Sequence, residues 1–174
     1  MKNEKKSSRV LVFMLLAGIA SLMAIQPATT SAAPQPQNVI PVQTFGATYG
    51  EWSARWWQWL LSIPAAINPN LDSTGANCGE GQVDDVWFLA GTFGGAVNRS
   101  CTIPAGKPIF FPLINNIAIK PYGYETLLDL RRLAAAFVDT VTVLDANIDG
   151  TPVQNLFDFR VRSPVFTVIA PSAG

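Results

Sequence analysis

The sequence predicts an α+β fold rich in β-strand: a sandwich-like antiparallel sheet packed by two helices, at about 48–63 and 125–138. Three observations carry this expectation. Four of the five tryptophans recur at helical spacing within one short segment. A second stretch of apolar residues near 130 repeats with the same period. Between and after these lie short apolar or alternating runs, each bounded by Gly, Pro, Asn or Asp.

The N-terminus precedes the fold. Lys2, Lys5, Lys6 and Arg9 are followed by an apolar run from Val10 to Ile25, then by the small residues Ala28 to Ala33. That order is the pattern of a secretory signal peptide, and Thr30 and Ala32 suit cleavage after residue 32. The apolar run is shorter than the roughly 20 residues a spanning helix requires. No later segment is apolar for long enough to span a bilayer. Residues 33–44, rich in Pro and Gln, are expected to form a flexible leader, and 45–174 a single domain.

The segment from Thr48 to Ile63 opens with a capping-box pattern, Thr48 as N-cap and Glu51 three residues later. Pro64 stops it. At 3.6 residues per turn, Tyr49, Trp52, Trp56, Trp59 and Ile63 share one stripe. Glu51, Arg55, Gln58 and Ser62 form a narrow polar stripe, with Glu51 and Arg55 spaced for an i,i+4 pair. Ala54, Trp57 and Leu61 lie on a third side, so the helix is expected to be buried on two sides.

A loop from Pro64 to Gln82 follows, with turn chemistry from Asp72 to Cys78. Val86 to Ala90 reads as a strand buried on both faces, Arg99 to Ile103 as a strand, and Ile109 to Phe111 as a strand limited by Pro108 and Pro112. Leu127, Leu130, Leu133, Ala134, Phe137 and Val138 form the apolar face of the second helix. Thr140 to Leu144, Phe157 to Arg162 and Val165 to Ile169 read as further strands, and Asp149-Gly150 as a hairpin turn.

Charge and cysteines bound the chemistry. Without the first 32 residues the chain keeps eight basic and eleven acidic side chains, a net of −3. This is not the basic footprint that nucleic-acid binding requires. Cys78 and Cys101, two thiols in an exported domain, read as one disulfide. Closing that loop stabilises by about 3.5 kcal/mol on the chain-entropy account.

The motifs Tyr49-Gly50-Glu51-Trp52, Trp56-Trp57-Gln58-Trp59, Val86-Trp87-Phe88-Leu89-Ala90-Gly91-Thr92 and Cys101-Thr102-Ile103-Pro104-Ala105-Gly106 together resemble a family of exported bacterial proteins with no assigned function. The resemblance implies a protein of the bacterial envelope or extracellular space and brings no catalytic residues with it. It also implies further strands after the apolar run Val165 to Ile169, so a truncated fold is expected.

The chain contains no histidine. A Ser-His-Asp triad, a Cys-His nucleophile and His-ligated zinc or copper are therefore excluded within it. No cofactor-binding pattern is present, and Gly91 to Gly95 lacks the lysine of a phosphate loop. The leading expectation is a non-enzymatic binding or structural role, with a glycan or an envelope protein as partner. Trp57, Glu51 and Asp72 are the candidate ligand-binding residues. The alternative is a glycoside hydrolase that uses carboxylates near the tryptophan helix, Glu51 or a carboxylate of Asp72 to Asp85. Asp72, Thr74, Asn77 and Glu80 could also offer oxygens to calcium, although turn chemistry alone explains their spacing.

Overall fold

The computed structural model describes residues 45–83, 85–120 and 126–171. The expected signal peptide and leader lie outside the described residues, as does Asp84. Within them the fold is mixed α+β, with two helices and two small two-stranded sheets. No helix among the described residues is long and apolar enough to cross a membrane.

Helix α1 spans Tyr49–Ser62, and both halves of the expected capping box form. The Thr48 hydroxyl accepts from the Glu51 N–H at 3.2 Å, and the Glu51 carboxylate accepts from the Thr48 N–H at 2.7 Å. At the other end Ile63 turns extended ahead of Pro64. The Asn68 amide then donates to the carbonyls of Leu60 and Ile63, at 2.8 and 3.1 Å, so the last turn is closed by a side chain.

Helical phasing places the core. Trp52, Trp56, Trp59 and Ile63 are all buried, Trp56 to 2% exposure, whereas Glu51, Arg55, Gln58 and Ser62 are exposed. Arg55 does not bridge to Glu51, whose carboxylate is used at the cap. Its guanidinium lies instead 4.5 Å from the centre of the Trp52 ring, where the ring face attracts the cation.

Strand β1, Trp87–Phe88, pairs in parallel with β2, Ile109–Phe110. Here the structure departs from the expected antiparallel sandwich. The ladder has two residues per strand, continued by Trp87 N–H to the Pro108 carbonyl and Leu89 N–H to that of Phe110. Proline has no N–H to give a ladder, so Pro108 and Pro112 bound β2 on both sides. Phe88 joins the sheet to α1, packing at 6.1 Å from Trp52, 5.5 Å from Trp59 and 6.1 Å from Phe110, centre to centre.

The connection from β1 to β2 is a long loop rather than the expected extra strand, since Arg99 to Ile103 joins no ladder. It is fixed by other means. Cys78 and Cys101 are disulfide-bonded, with Cα atoms 5.9 Å apart. Gly75, at φ +92°, lets this loop touch its neighbour, since a Cβ there would stand 2.2 Å from the Ser100 carbonyl oxygen.

Helix α2 spans Leu127–Val138 and is capped by Thr126, whose hydroxyl accepts from the Asp129 N–H. The Asp149-Gly150 turn joins β3, Asn147–Ile148, to β4, Thr151–Pro152, in the expected antiparallel hairpin. Both turn residues have positive φ, 50° and 82°, as the tight primed turn requires. The remaining expected strands do not form ladders. Thr140 to Leu144 and Val165 to Ile169 are irregular, and Leu156–Phe159 is a short 3-10 helix. Alternation alone does not make a strand without a paired neighbour. Contacts along α1 tie this half to it: the Gln58 amide donates to the Thr167 carbonyl at 2.9 Å, and Gly50 is buried so closely that a Cβ would lie 2.6 Å from the Arg162 carbonyl oxygen.

Candidate functional site

Two places are candidates for a site. The first is the loop between α1 and β1, where Asp72 organises an Asx turn. One carboxylate oxygen accepts from the Thr74 N–H and hydroxyl, at 2.8 and 2.7 Å, and the other from the Asn77 N–H at 2.9 Å. Those donors, the Asn77 N–H first, hold its pKa down at about 2, against an ordinary 3.8. A carboxylate whose oxygens are taken up by its own loop is a structural acceptor. It has neither the raised pKa of a general acid nor oxygens turned toward a cation. Among the described residues no group of three metal-ligating side chains comes together.

Arg99 completes this loop and was not visible as a site in the sequence. Its guanidinium donates to four backbone carbonyls: Asp72 at 2.6 Å, Gly91 at 2.7 Å, Ala90 at 3.0 Å and Asn70 at 3.3 Å. Gln82 acts similarly, its amide donating to the Cys78 and Phe88 carbonyls while its oxygen accepts from the Phe88 N–H. Every one of these bonds runs to main chain. The cluster holds the loop against the core.

Glu51 also has a structural assignment. Its carboxylate is engaged by the Thr48 N–H and hydroxyl, which lower its pKa, with a smaller contribution from the Arg55 charge. Glu51 and Asp72 are therefore a helix cap and a turn, and neither lines a cavity with Trp57.

The second place is an open cavity of about 1560 Å³ between α1, β2, α2 and the chain after β4. Trp57 stands in its wall. This side chain is half-buried, with its ring edge-on to Trp56 at 5.0 Å between centres. Trp52, Phe110, Leu130, Val138 and Phe159 contribute further apolar surface. Tyr49 lies at the same wall, 6.0 Å edge-on to Phe159, and partial burial raises its phenol pKa.

The buried indoles on the other side of α1 are satisfied. Trp56 donates to the Leu89 carbonyl at 2.9 Å and Trp59 to that of Glu80 at 2.8 Å. Trp87 is the exception, its Nε1 buried without a hydrogen-bond partner.

Only one described carboxylate lines the cavity, Asp139, and it is ion-paired with Arg160. Glycoside hydrolysis needs two carboxyl groups, one on each side of the scissile bond. The cavity offers hydrophobic contact and an aromatic wall instead. The sequence indicated Trp57 through its displacement from the buried stripe. It did not indicate the far wall, because α2 and the segment after it have no short-range link to α1.

No protein family, curated protein or solved structure matches the chain.

Proposed function

We propose that this chain is an exported bacterial protein with a non-enzymatic binding role in the cell envelope or extracellular space, and that the cavity beside Trp57 holds its ligand. One observation carries the reading: an open apolar cavity walled by a tryptophan that the core leaves half-buried. Apolar concavities with an aromatic wall are where proteins most often hold ligands. Trp57 is the ligand contact in this reading, whereas Glu51 and Asp72 support the scaffold. A sandwich-like arrangement belongs to the same proposal, since Thr140 to Leu144 and Val165 to Ile169 would supply strands around the cavity. Hydrolysis has less support, because the single described carboxylate of the wall is already paired.

The test is titration with Nile red, an uncharged apolar dye, followed by its emission. Saturable binding to one site is expected, weakened about tenfold in Trp57→Ala and largely retained in Trp57→Phe. Absence of saturable binding, or an unchanged Trp57→Ala, would sink the proposal. Export is tested separately by N-terminal sequencing of the protein recovered outside the cytoplasm, where Ala33 should come first.

A further inference from the structure

The charges of the described residues are not spread evenly. Five of the eight arginines and lysines after residue 44 line the cavity: Lys107, Lys120, Arg131, Arg160 and Arg162. Of the nine described carboxylates, only Asp139 does. Asp139 neutralises Arg160, and no described carboxylate pairs with Lys120, Arg131 or Arg162. The segregation runs against the net negative charge of residues 33–174. Like charges lining one cavity repel one another, more weakly where the side chain is exposed to water, as Lys120 and Arg162 are. An anion seated among them relieves that repulsion and gains charge-assisted hydrogen bonds.

Taking the cavity as the ligand site, we infer that its ligand is a single-chain anionic amphiphile, an alkyl chain carrying a carboxylate or sulfate head, bound as a monomer from solution. The alkyl chain lies along Trp57, Phe110, Leu130 and Val138, and the head meets Arg131, Arg162 and Lys120. The volume, about 1560 Å³, exceeds the roughly 300–1,000 Å³ of ordinary small-molecule pockets and suits an extended chain. A glycan would leave the larger, apolar part of the wall without a partner. A cationic amphiphile would add to the charge already there.

Calorimetry on the whole chain with decanoate, 1-decanol and decyltrimethylammonium reads out the head, and a series from octanoate to dodecanoate reads out the tail. Decanoate should bind about tenfold more tightly than decanol, and the cation more weakly than either. Each added methylene should tighten binding about threefold to fourfold. Raising salt from about 0.02 to 0.5 M should shrink the preference for decanoate over decanol, a measurement that needs no variant. In Arg131→Glu/Arg162→Glu that preference should vanish, and Arg131→Lys/Arg162→Lys should restore it. Equal binding of decanoate and decanol, or a preference indifferent to both salt and charge reversal, overturns the anionic head while leaving the cavity a binding site. If none of the three probes binds, the cavity is no ligand site and both readings fall.

Discussion

Residues 45–110 and residues 111–171 have comparable apolar content and opposite fates. In the first region every large side chain of the α1 stripe is packed, and the buried indole N–H groups of α1 reach loop carbonyls. In the second, α2 has no buried residue, although its apolar periodicity is as regular as that of α1. Phe137 is 56% exposed and Val143 80%. The difference lies in what faces each helix. Phe88 and the β1–β2 pair present a surface to α1, and side-chain bonds from Arg99 and Gln82, with the disulfide, hold that surface in place. Over α2 the described residues supply less: the Asn116 amide donates to the Leu133 and Ala134 carbonyls at 3.4 and 3.3 Å, and Arg160 pairs with Asp139 at the end of the helix. An amphipathic helix becomes buried only when a second layer is held against it. The same shortfall leaves the cavity open.

The sharpest way to break this comparison is to truncate one aromatic on each side. Trp56→Ala removes the most buried indole of α1 together with its bond to the Leu89 carbonyl. It should cost about 3–5 kcal/mol in urea unfolding. Phe137→Ala, on the exposed side of α2, should stay within about 0.5 kcal/mol. Similar losses at the two positions would mean that residues 111–171 are packed as firmly as the tryptophan core.

The disulfide comes next. Cys78→Ser/Cys101→Ser opens a loop that spans 23 positions of sequence and should lower stability by about 3.5 kcal/mol. The loss should be felt where the bond acts. Hydrogen exchange should accelerate in the loop between α1 and β1 and at the Trp87 amide, with little change in α2. Equal acceleration in α2 would show that the two regions unfold as one unit.

What the sequence made legible follows the same divide. The capping box, the buried stripe, the stop at Pro64, the cysteine pair and the Asp149-Gly150 turn all depend on residues close in sequence, or on pairing with only one option. Each is found as expected. The parallel pairing of β1 with β2 was not legible, because apolar runs do not encode strand direction. Thr140 to Leu144 and Val165 to Ile169 alternate well, yet a strand also needs a neighbouring edge, which local pattern does not report. Arg99 was invisible for a related reason: its four acceptors are main-chain carbonyls, and these carry no sequence signature. At the cavity, phasing identified Trp57, while the cations of the wall come from segments far apart in sequence and share one cavity only in the folded chain.

The smallest effect concerns Asp72, where acid should separate the two regions. Its pKa in the folded chain, about 2, lies below the ordinary 3.8 because the Asn77 and Thr74 donors favour the ionised form. The folded state therefore binds its proton less readily than the unfolded state does. The stability this provides is fully present above the ordinary value and is lost as pH falls from 3.8 toward 2. Across that window the Thr74 and Asn77 amides should lose exchange protection in the wild type. In Asp72→Asn the amide cannot accept on both arms, so protection of the Asn77 N–H should already be low at neutral pH and vary less with acid. Helix α2 makes no contact with this carboxylate, and its protection should follow the same pH course in both proteins. If acid instead released α2 first in the wild type and Asp72→Asn abolished that difference, the loop would be stabilising the far region as well, and the division between the two halves would have to be redrawn.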